Sequence, residues 1–113
     1  MALTLTLDRS DLLLTRNFIG GRWIAAQQEL RYRVDDPASD ALITEVADSG
    51  VDDARAAADA AHAAFPAWRA LPARQRSQLL RRWHSLILAH AQDLARLMSR
   101  EQGKPLAAGM MSP

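Results

Sequence analysis

Apolar residues spaced three and four apart dominate the second half of the chain. From Pro72 to Pro105, Leu79, Leu80, Trp83, Leu86, Ile87, Ala91, Leu94, Leu97 and Met98 mark one face of a helical arm. As one straight helix this arm would reach about 45 Å, at roughly 1.5 Å per residue. A compact chain of this size has a radius of gyration of about 13 Å. The arm therefore bends, or its partner surface lies outside the chain. A break at His90-Ala91-Gln92-Asp93 is predicted, with Gln92 or Asp93 near a new helix start. Pro72 suits a first helical position, Gly103 a C-cap and Pro105 a stop. A second stripe, Ala54, Ala57, Ala58, Ala61, Ala64, Phe65 and Trp68, predicts a buried face on a helix opening at Ser49 or Gly50. Asp52 and Asp53 fall in its first turn, where carboxylates meet the positive helix end. Pro66 predicts an end or sharp bend near Phe65.

The first half reads as strands. Phe18-Ile19 and Trp23-Ile24 flank Gly20-Gly21, the pair of positive-φ residues a tight hairpin turn requires. Ala25 to Glu29 is a polar connection. Leu30 to Val34 alternates Leu, Tyr and Val against Arg31 and Arg33, the pattern of a half-buried strand, and Asp35-Asp36-Pro37 ends it. Ile43 to Ala47 is a further strand, giving a small antiparallel element of two to four strands. Leu3 to Leu7 alternates as a strand does, and Ser10 suits the N-cap of a short turn over Asp11-Leu12-Leu13-Leu14.

Composition tempers this picture. The apolar share of 49% includes 22 alanines, which carry little surface to bury, so the core is weaker than the percentage implies. Net charge is +1, which exerts no general pull toward nucleic acid or membrane. The absence of Cys excludes disulfides, thiolate metal sites and a cysteine nucleophile. No run approaches the ~20 apolar residues that span a bilayer. Met1 to Arg16 lacks a basic leader region, and a cytoplasmic setting is expected.

Candidate chemistry is sparse. His62, His84 and His90 show no i, i+4 pair and no metal-site spacing, so polar or boundary roles are expected. Asp35-Asp36 and Asp52-Asp53 are neighbours in sequence, and adjacent strand residues point to opposite faces. General acid–base catalysis needs groups that converge. Gly20-Gly21 lacks the further glycines and following helix of a phosphate loop. Arg69, Arg74, Arg76, Arg81 and Arg82 fill a stretch, from Asp59 to Asp93, with no acidic residue between. With Trp68 and Trp83 in apolar stripes, this cluster suits a solvated face or an acidic partner better than nucleic acid.

Three marks appear in order: Phe18-Ile19-Gly20-Gly21-Arg22-Trp23, Asp36-Pro37-Ala38, and Ala64-Phe65-Pro66-Ala67-Trp68. The arm and Glu101-Gln102-Gly103-Lys104-Pro105-Leu106 follow. Together they resemble the N-terminal end of the NAD(P)-dependent aldehyde dehydrogenase superfamily, over roughly Asn17 to Ala107. The closing motif is most similar to bacterial succinate-semialdehyde dehydrogenases and to glutarate-semialdehyde dehydrogenases. The resemblance implies oxidation of an aldehyde to a carboxylic acid. A cysteine attacks the aldehyde, hydride passes to the nicotinamide, and a glutamate activates the releasing water. It implies a fold of several hundred residues with a doubly wound cofactor domain, and homo-oligomers. The family's cysteine, glutamate, asparagine and dinucleotide-binding segments lie further along and match no position here.

The expected fold class is α+β: a small N-terminal antiparallel hairpin or sheet, then three α-helices, like the N-terminal part of the aldehyde dehydrogenase α/β fold. Residues 1–16 form a poorly defined segment, 17–107 the family-like part, and 108–113 a tail outside the resemblance. The expected protein is a truncated fragment, from a shortened or frameshifted reading frame or a split gene, and inactive alone. It has no catalytic, cofactor-binding or metal residues and binds no NAD or NADP itself. Its partner is the missing remainder of such an enzyme, with no nucleic acid and no membrane. The alternative readings are a free-standing helical interaction module and a small nucleic-acid binder using Arg69 to Arg82.

Overall fold

Two adjacent glycines make the first turn. In the computed structural model, which describes residues 5–107, β1 (Asn17–Ile19) and β2 (Arg22–Ile24) pair antiparallel. Gly20 and Gly21 bridge them at φ 61° and 79°, the positive angles that residues with a Cβ seldom adopt. Phe18 faces Trp23 across the ladder, with ring centroids 4.9 Å apart. β3 (Arg31–Asp35) and β4 (Leu42–Ala47) form a second two-stranded sheet, so the strands make two ribbons rather than one sheet. The N–H of Asp48 to the Leu30 carbonyl and the N–H of Asp36 to the Ala41 carbonyl bracket this pair in antiparallel register. Three helices follow: α1 (Val51–Ala70), α2 (Ala73–Ala89) and α3 (Ala91–Gln102). The α+β class holds.

Several local expectations are corrected. Leu3 and Thr4 lie outside the described residues, and Leu5 to Leu7 form no strand. Ser10 is the first residue of a 3-10 turn (Ser10–Leu12), not its cap. Arg9 is the extended residue before it, and no side chain caps the turn. α1 runs through Pro66 to Ala70. Proline's fixed φ is itself helical, and its missing N–H removes one rung, to the His62 carbonyl. Both residues are exposed, so water can take that acceptor. Leu71, held extended by the following proline, ends the helix instead. Pro72 stands one residue ahead of α2, and its carbonyl accepts the first helical bonds from Gln75 and Arg76. The arm does break, at His90, with α3 starting at Ala91 and Asp93 in its first turn. Gly103 closes α3 in the left-handed region at φ 73°, its N–H donating to the Ser99 carbonyl. Pro105 is not a lasting stop: Leu106 and Ala107 are helical again.

The described residues divide into two compact units. The hairpin unit comprises residues 16–31 and 47–85: β1, β2, α1 and most of α2. The α3 unit takes residues 5–15, 32–46 and 86–107.

Candidate functional site

Small and acidic residues occupy the buried positions, and large apolar ones do not. Among the described residues, Ala26 and Ala95 are the buried apolar side chains, and Asp36, Asp53 and Asp93 the buried polar ones. Each aspartate is a staple.

In the hairpin unit, Asp53 sits three residues after Gly50, the spacing of a capping box. Its Oδ2 accepts from the Gly50 N–H at 2.9 Å, and its Oδ1 from the Gln27 N–H at 2.9 Å. One carboxylate thus ties the start of α1 to the connection after the hairpin. Asn17 Nδ2 donates to Ser49 Oγ at 2.6 Å and ties β1 to the same junction.

In the α3 unit, the Asp93 carboxylate is 2% exposed. It accepts from the Asp8 N–H at 2.8 Å, the Arg9 N–H at 2.9 Å and Arg96 Nη1 at 3.1 Å. Arg96 also reaches Asp8 Oδ1 at 3.3 Å. Burial by itself pushes the Asp93 carboxyl up. The N–H groups of Arg9 and Asp8, then the charge and hydrogen bond of Arg96, outweigh it and hold the group below the ordinary carboxylate range. Asp36 closes its own turn by accepting from the Ala38 N–H at 2.9 Å, and meets Arg100 of α3 at 3.4 Å. The end of α3 lies beside that turn: a Cβ on Gly103 would stand 3.5 Å from Pro37 Cγ.

These contacts also separate the paired carboxylates. Asp36 and Asp53 are buried, while Asp35 faces out to Arg33 and Asp52 is exposed. Neither pair converges on a common point. The three histidines do not gather either: His62 and His84 are exposed on α1 and α2, and His90 is the residue before α3. No three His, Asp or Glu side chains among the described residues are placed to hold a metal ion.

The stripe of α1 is open where burial was expected, and the α2 part of the arm's stripe is open as well. On α1, Ala57 alone of the seven stripe residues is half-covered. Phe65 is 52% exposed, with the Arg69 guanidinium 5.6 Å over its ring. The apolar face of β3 is likewise open at Tyr32. On α2, Leu79, Leu80, Trp83, Leu86 and Ile87 are all exposed, Trp83 at 63%. The helix has no buried residue and no Asp or Glu. Exposed apolar patches of this kind mark interaction or ligand-binding surfaces. Among the described residues, no helix is long and apolar enough to cross a membrane.

The staples are what the sequence reading missed. The Gly50–Asp53 spacing and the Asp36-Pro37 turn carried a signal for two of them. Nothing local pointed Asp93 at residues 8 and 9.

Comparison with known proteins gives this surface its context. Residues 23–112 match the aldehyde dehydrogenase family. The mitochondrial succinate-semialdehyde dehydrogenase of Homo sapiens is 50% identical over 95 residues, covering 84% of this chain and 17% of that protein. The NADP(+) succinate-semialdehyde dehydrogenase of Escherichia coli is 46% identical over 101 residues, covering 89% of this chain and 21% of its own. A crystal structure of succinate-semialdehyde dehydrogenase from Burkholderia pseudomallei superposes with a TM-score of 0.91 at 37% identity, over 94% of this chain and 22% of that one. The chain thus spans about a fifth of the length of the relatives it matches.

Proposed function

The chain belongs to the aldehyde dehydrogenase family, and on that premise we propose that it is the N-terminal segment of a succinate-semialdehyde dehydrogenase, non-catalytic by itself. The observation that carries this reading is the combination of high identity with low coverage. Identity of 46–50% to enzymes named for succinate semialdehyde supports that substrate, and coverage of about a fifth leaves most of the enzyme outside this chain.

The absence of Cys supports the non-catalytic part, because the aldehyde has no thiolate here to attack it. None of the three buried aspartates is available as a base, since each already accepts two or more hydrogen bonds that hold the fold together. NAD or NADP belongs in this proposal to the rest of the enzyme, as do its homo-oligomeric contacts. The setting we propose is the bacterial cytoplasm; the E. coli relative supports the bacterial part, and the human relative is named as mitochondrial.

The test is a chimera in which residues 17–107 replace the matching stretch of the E. coli enzyme. It is expected to oxidise succinate semialdehyde with NADP+, while the 113-residue chain alone forms no NADH or NADPH. Turnover by the chain alone overturns the non-catalytic reading. A chimera that folds but does not turn over overturns the assignment to this enzyme.

A further inference from the structure

We draw no further inference here: the strongest candidate, the exposed apolar face of α2 formed by Leu79, Leu80 and Trp83, restates an established property of the family fold when set against the rest of the enzyme, and nothing in the structure shows any other partner covering it.

Discussion

α2 and α3 come from one continuous apolar pattern, yet they end in opposite conditions. α2 has no buried residue. α3 buries Asp93 and Ala95 and half-buries Arg96 through Arg100. The pattern does not explain the difference, since Leu79 and Leu80 are as apolar as Leu94 and Leu97. Coverage does. The backbone of Asp8 and Arg9 closes on Asp93, and the Asp36 turn meets Arg100 and the Gly103 end of α3. Among the described residues, no comparable segment hooks onto α2. A helical stripe states that a face wants covering; only a chain segment with matched hydrogen bonds says what covers it. For α3 that segment is in this polypeptide.

The comparison can be broken most forcefully at Asp93. Asp93→Ala leaves two backbone N–H groups and Arg96 without their acceptor, and the melting temperature should fall by about 10 °C, with residues 5–15 losing exchange protection. An unchanged melt would show that the segment is held by something else. Asp53→Ala should cost about 2 kcal/mol by removing the Gly50 and Gln27 bonds, measured by urea unfolding. Gly103→Ala should cost about 1 kcal/mol. The added methyl meets Pro37 at ordinary contact distance, so the penalty is that of a left-handed backbone. Leu80→Asp should change the stability of the isolated chain by no more than about 0.5 kcal/mol. A large loss there would mean that the α2 face is already covered.

Acid sharpens the same contrast. Asp93 binds its proton less readily folded than unfolded, so its contribution is complete above the ordinary carboxylate pKa, about 3.9. That contribution is lost as pH falls below this value and through the folded pKa. The acid side of the stability profile should therefore flatten in Asp93→Asn. The exposed Arg9–Asp11 pair, in which the hydrogen bond from Arg9 lowers the Asp11 carboxyl, should contribute little to it.

What could be read from the sequence was whatever is encoded locally. Gly20-Gly21 specified a hairpin because few other residue pairs tolerate two successive positive φ values. Gly103 specified the end of α3 for the same reason. The break falls within the stretch His90 to Asp93 named from the sequence, although the new helix starts one or two residues earlier than the expected Gln92 or Asp93. Pro66 misled because a missing N–H matters most where water cannot replace it, and α1 is exposed there. The buried stripe of α1 and the half-buried face of β3 were misread because periodicity records what a face needs in its full setting. On the function proposed above, that setting includes polypeptide outside this chain. The Asp93 staple was illegible because its partners are backbone groups 84 and 85 residues away, and a backbone N–H leaves no mark on the sequence.

The contrast between the two helices is tested most directly by amide hydrogen exchange on the purified 113-residue chain. The protection of Leu94 to Gln102 is set against that of Ser77 to Leu88. The account predicts that the α3 amides exchange more slowly, and that Asp93→Ala brings them to the rate of α2. Equal protection in the two helices of the unaltered chain, or greater protection in α2, would contradict it.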